Sequence, residues 1–205
     1  INILYGAYCA MAQSDMKKLV AYSSVSHMGY VLLGMSAFTE AGINGAVFQM
    51  FNHGTITAMM FLCVGVIYDR AHHREINGFG GLGLQMPVYT SVFSFALFAA
   101  LGLPGLSGFV SEAMIFMGVF PVYRTVAMIS ALGIIIGAAY VLWMLQRVFL
   151  GPKQDKYDTL PEISARELFT LVPIGLVVLI LGVYPMPVLN LMKVSLNNLI
   201  KVVAG

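Results

Sequence analysis

Charge is scarce in this sequence. Only 10% of its 205 residues are Asp, Glu, Lys or Arg, against about a quarter in soluble domains, while 59% are hydrophobic. So little charge cannot cover a water-soluble surface, and a mean hydropathy of +0.86 places the chain in a membrane. The alternating strands of about ten residues that mark an outer-membrane barrel are also missing, because the apolar runs are uninterrupted and much longer. Helices must then satisfy the backbone polar groups, and the expected class is an all-α integral membrane bundle in contact with the lipid bilayer. There are two cysteines, Cys9 and Cys63, both in apolar segments where a thiol acts as a small hydrophobe, so no disulfide framework and no metal site is expected. With a net charge of +2 and basic residues gathered in loops, nothing points to nucleic acid.

What is present is a series of apolar runs. Residues 1–13 would cover only about 20 Å as a helix, against roughly 30 Å of hydrocarbon, so they are expected to be the end of a helix begun upstream. Further spans are expected at 19–37, 44–68, 88–120, 125–149 and 168–184, giving one transmembrane domain over 1–205 with about six helices, the first truncated. Asp15 is placed to cap the second helix. His72 and His73 fall in a charged loop and are expected to be solvated, and Gly78, Gly80, Gly81 and Gly83 suggest a flexible loop up to Pro87. In the tail, 188–204, the apolar residues Leu189, Met192, Leu196, Leu199 and Val203 recur at spacings of three and four, an amphipathic helix. Eight of the eleven basic residues (Lys17, Lys18, Arg70, Arg74, Arg147, Lys153, Lys156, Arg166) lie in loops after the first, third and fifth spans. The positive-inside rule puts that face toward the cytoplasm and the C-terminus outside.

The run 88–120 is too long for one straight crossing, at about 50 Å. Pro104 removes a backbone donor, and Gly102, Gly105 and Gly108 permit unusual dihedrals, so this span is expected to be discontinuous. Irregular backbone at membrane depth is tolerated where protein or water satisfies it, as in transporters. The same run carries Glu112, which has no other charge near it between Pro87 and Pro121. An ionisable residue in a span faces a protein interior and marks an ion or proton route by default.

Only two histidines lie in the spans, His27 and His53, each near mid-depth, and histidine can both give and take a proton near neutral pH. Gln49, His53 and Thr57 recur every four residues as a polar stripe, and Ser23, His27 and Tyr30 share a face in the same way. These groups read either as a proton path or as interhelical hydrogen-bonding glue. Haem ligation by the two imidazoles is geometrically open but has no supporting pattern. For Glu112 the bland alternative is a neutral acid hydrogen-bonded to Ser107 or Ser111. Lys17 and Lys18 read either as topology determinants or as charge at an entrance.

The run from Gln13 through Asp15, Lys17, Lys18 and Ser23 to His27 and Gly29, together with Gln49-Met50-Phe51-Asn52-His53-Gly54 and the run from Gly102 through Pro104 to Glu112, resembles the antiporter-like membrane subunits of respiratory complex I. The resemblance covers the whole chain. It implies the second of two inverted five-helix repeats, with Glu112 as the proton-handling glutamate of the broken helix and His27 and His53 on the central hydrophilic axis. It further implies a non-redox, proton-translocating part of NADH:quinone oxidoreductase in a bacterial inner membrane or an equivalent energy-transducing membrane. FMN, iron–sulfur clusters and quinone would sit elsewhere in the complex, and the partners would be other membrane-arm subunits and a missing N-terminal half-channel. A subunit of a multi-subunit sodium/proton antiporter or membrane-bound hydrogenase, and a structural spacer without a working channel, are the alternatives.

Overall fold

In the computed structural model, residues 1–204 are described, the last two by their backbone only; Val203, the end of the expected apolar stripe, thus lies outside the described side chains. Among the described residues nine α-helices are formed: α1 (Asn2–Met11), α2 (Met16–Ser36), α3 (Glu40–Ala71), α4 (Leu82–Gln85), α5 (Pro87–Ala100), α6 (Ser107–Val119), α7 (Arg124–Phe149), α8 (Ala165–Val183) and α9 (Met186–Ala204). Among the described residues there is no strand, only an isolated antiparallel bridge between Asp15 and Glu75. Among the described residues three helices, α3, α7 and α8, are long and apolar enough to cross a bilayer by length and composition. The fold is an all-α integral membrane bundle.

Local chemistry sets the helix ends. The Asp15 carboxylate accepts from the amides of Lys17 (2.7 Å) and Lys18 (3.1 Å), so α2 starts three residues before its apolar run. Thr39 caps α3 through the Gly42 amide, and His72, left-handed at φ 57°, ends it. Helix α3 therefore has 32 residues where 44–68 was expected. Its last turn keeps helical form because Arg70 is clasped from across the bundle: Nη1 and Nη2 donate to the two oxygens of Glu167 at 2.9 and 2.8 Å. Glu167 also closes a capping box with Ser164, which starts α8 at Ala165 rather than 168.

The expected 88–120 span is divided into α5 and α6, separated by residues 101–106. Helix α5 ends in a Schellman turn: the Leu103 amide donates to Phe98 O (3.1 Å) and the Gly102 amide to Ala99 O (3.3 Å), with Gly102 at φ 78°. Gly105, at φ 96°, turns the chain back into α6.

Two apolar clusters hold the bundle. The larger gathers residues such as Met16, Ile67, Phe93, Met144 and Phe149, and the smaller contains Tyr30, Leu33, Ile115 and Val119. On α2 the large cluster stops at Val20 and the small one resumes at Tyr30; along the break and α6 the corresponding limits are Leu106, just before the helix, and Ile115. His27, Ser111 and Glu112 fall in the gap, a polar layer between two dry ones.

The glycine-rich segment is packed rather than free. Gly80 and Gly81 are buried, and a β-carbon on Gly80 would stand 2.6 Å from Pro152 O, so glycine there permits close backbone approach to the α7–α8 loop. His73 is half-buried, not solvated as expected: its ring stacks on Phe79 with centroids 4.3 Å apart, and its Nε2 meets Tyr157 Oη at 2.5 Å.

Candidate functional site

Glu112 is only 6% exposed, on the second turn of α6 just past the break. Its Oε1 lies 3.1 Å from His27 Nδ1 on α2. The His27 and His53 rings lie side by side with centroids 5.3 Å apart, so α2, α3 and α6 bring the three titratable groups into one row. Removing either member of the His27–Glu112 pair leaves a largely buried ionisable group without its partner, a loss of about 3–5 kcal/mol where the pair is charged.

The break shapes the other side of the carboxylate. A β-carbon on Gly102 would stand 3.1 Å from Glu112 Oε2, so the left-handed residue that ends α5 is also the one that leaves room for the acid. Gly108 serves a different contact: a β-carbon there would meet Ala99 O at 2.5 Å, so this glycine lets the two half-helices cross closely. Pro104 and Gly105 are exposed at the turn itself, away from the carboxylate.

The supporting polar residues divide into two groups. Ser111 Oγ–H donates to Gln49 Oε1 (2.5 Å) and accepts from Asn52 Nδ2 (3.0 Å), while the same amide donates to Ser107 O (2.9 Å). Gln49 and Asn52 thus pin α3 to the start of α6. The expected stripe is split: Gln49 faces α6, His53 faces His27, and the Thr57 hydroxyl bonds back to His53 O in its own helix. Ser23 likewise bonds its own backbone, at Val20 O (2.8 Å). Ser107 and Ser111 are buried against α3, and Glu112 pairs with His27 rather than with either serine. Lys17 and Lys18 are exposed at the start of α2, about 15 Å from His27 along the helix, and are not gathered into the row.

Several site residues escaped the sequence reading. Asn52 is fully buried, and both its Oδ1 and Ser107 Oγ lack a protein partner. A pocket of about 10 Å³, room for about one water, is lined by Ser26, His27, Tyr30, Glu112, Gly137 and Tyr140. Tyr140 had a signal, since a tyrosine hydroxyl inside an apolar span needs a polar neighbour, whereas Tyr30 was already placed on the face of His27. Among the described residues, no three His, Cys, Asp or Glu side chains gather to hold a metal ion.

Known proteins share this arrangement of helices. Residues 1–137 match the family described as NADH:quinone oxidoreductase/Mrp antiporter, TM. The chain is 46% identical over 202 residues to NADH-quinone oxidoreductase subunit M of Rhodobacter capsulatus, covering 98% of this chain and 40% of that protein. It is 37% identical over 205 residues to NADH-ubiquinone oxidoreductase chain 4 of Chondrus crispus, covering 100% and 42%. A chain of respiratory complex I from Thermus thermophilus superposes with a TM-score of 0.89 at 30% identity, over 97% of this chain and 43% of that one. The chain therefore spans about two fifths of the length of the curated relatives it matches. On the match over residues 1–137, the chain belongs to the NADH:quinone oxidoreductase/Mrp antiporter transmembrane family.

Proposed function

We propose that this chain carries a proton-translocating half-channel of a membrane-arm subunit of NADH:quinone oxidoreductase, with Glu112, His27 and His53 as its proton path. The observation that carries the reading is the direct contact of Glu112 Oε1 with His27 Nδ1 at 3.1 Å, beside a helix break and within ring contact of His53. Relatives at 46% and 37% identity that bear the names of complex I subunits support this parent over a sodium/proton exchanger.

Proton movement along this row follows from its charge balance. The Glu112–His27 pair has no net charge whether the proton sits on the carboxylate or the imidazole, so transfer within the pair creates no isolated buried charge. A proton arriving at His53 places a positive charge beside that pair. When the pair holds its proton on His27, the two imidazolium rings, with centroids 5.3 Å apart, repel by about 3 kcal/mol at an effective dielectric of about 20, which favours passing that proton onward. Gln49, Asn52, Ser107 and Ser111 hold α3 against α6 and keep this spacing; Gly102, Pro104 and Gly105 make the break, and Gly108 lets the two half-helices cross closely. Lys17 and Lys18 supply positive charge on the basic face, where protons would arrive. FMN, iron–sulfur clusters and quinone belong to other subunits in this reading, and electron transfer there supplies the charge shifts.

The test uses the full-length subunit in its assembled complex. Glu112→Gln keeps size and hydrogen bonding but cannot cycle a proton, so quinone-linked proton pumping into vesicles should fall sharply while assembly holds. Undiminished pumping by an assembled Gln variant overturns the reading.

A further inference from the structure

The geometry points to a binding site for an aminophospholipid headgroup, of the phosphatidylethanolamine kind, in the cleft between α9, the first turns of α3, and α6. The site is independent of the proton path. The cleft has a volume of about 380 Å³, within the range of small-molecule sites, and is lined by Glu40, Asn44, Met114, Met186, Leu189 and Lys193.

Each part of such a lipid has a complement there. Asn44 is 6% exposed; its Nδ2 donates to Glu40 O at 2.8 Å, which leaves the buried Oδ1 without a partner. A buried acceptor without a donor is destabilising by about 1–3 kcal/mol, so this atom calls for a ligand N–H. Glu40 lies one turn earlier on the same helix. One of its oxygens accepts from Asn197 Nδ2 at 3.1 Å, and a carboxylate retains further lone pairs for an ammonium group. Acceptor and anion together select a cation that still carries N–H donors. Across the cleft, Lys193 is exposed and, among the described residues, has no ion-pair partner, which suits it to a phosphate. Met114, Met186 and Leu189 form an apolar wall for the start of an acyl chain.

The depth is also right. The cleft lies at the end of the bundle where the α2–α3 and α8–α9 turns meet, and α9 is amphipathic, with Leu191 and Val194 exposed beside polar Lys193 and Asn197. Such a helix lies at the headgroup level of a bilayer. A zwitterion with a primary ammonium, a phosphate and an apolar tail matches all three chemistries; a quaternary ammonium has the charge but no N–H for Asn44.

The experiment is photolabelling of the full-length subunit in its assembled complex, reconstituted in phosphatidylglycerol vesicles doped with phosphatidylethanolamine that carries a diazirine on one acyl chain. Peptides bearing Met114 and Met186 should be labelled, with about tenfold stronger competition by unlabelled phosphatidylethanolamine than by phosphatidylcholine. Lys193→Gln, at an exposed position that folding tolerates, and Asn44→Leu should each weaken labelling there several-fold and leave labelling on α7 unchanged. No label in the cleft, equal competition by the two lipids, or parental labelling in both variants overturns the site.

Discussion

A carboxylate between two apolar layers is stable only with a partner, and Glu112 has one in His27. Double-mutant analysis isolates that coupling. His27→Met should slow pumping, and adding it to Glu112→Gln should slow pumping little further, because both remove the same link; additive losses would show that the two act separately. Pairing His27→Met with His53→Met tests the rest of the row, and an unchanged turnover rate would leave the histidines as packing groups. Asn52 carries a structural prediction of its own. Its amide holds Ser107 O and Ser111 Oγ, so Asn52→Ala should destabilise the chain by about 1–3 kcal/mol in thermal unfolding in detergent. That Glu112, His27 and His53 face the bundle interior was legible in the sequence, because a titratable group in a charge-free run is kept away from lipid. The role of Asn52 was not, since neighbours on a helix point about 100° apart and only the position of α6 decides which of Asn52 and His53 meets which helix.

At the scale of helices, the break in 88–120 could be read from length together with Pro104 and its glycines, but the work of each glycine could not. Gly102 and Gly108 look alike in sequence; one leaves room for a carboxylate oxygen, the other for a backbone carbonyl. Their alanine variants should therefore fail differently. Gly102→Ala forces a β-carbon into a left-handed residue, at about 1–2 kcal/mol, and crowds Glu112, so pumping should drop in a complex that still assembles. Gly108→Ala pushes the half-helices apart at Ala99 O, a rigid neighbour, so the loss should appear first as poor assembly in native gels. The reverse pattern would contradict these assignments. The ends of α3 and α8 were misread for one reason: Arg70 and Glu167 look like loop residues, yet their paired hydrogen bonds bring both charges into helices. That pairing crosses 97 residues of sequence and has no local signal.

Across the whole molecule, the basic face is held together by contacts between distant loops, which is why the glycine-rich segment read as free. There His73 donates Nε2–H to Tyr157, whose hydroxyl donates in turn to Gly78 O at 2.9 Å, joining the segment after α3 to the one before α8. Burial, aided by the charge of Lys156 and opposed by Glu75, holds the His73 imidazole below its ordinary value of 6.5. Its folded state thus binds a proton less readily than its unfolded state, and stability falls as pH drops through the unfolded value, the loss ending once pH is below the folded one. The clasp should be intact at pH 7.5 and weaken below about 6.5. Hydrogen exchange of the amides from Ile76 to Gly81, corrected for intrinsic rates, should accelerate on acidification in the parent. In His73→Gln, which keeps a donor for Tyr157 but does not titrate, that acceleration should vanish. Equal acceleration in both proteins would place the acid-sensitive group elsewhere on this face.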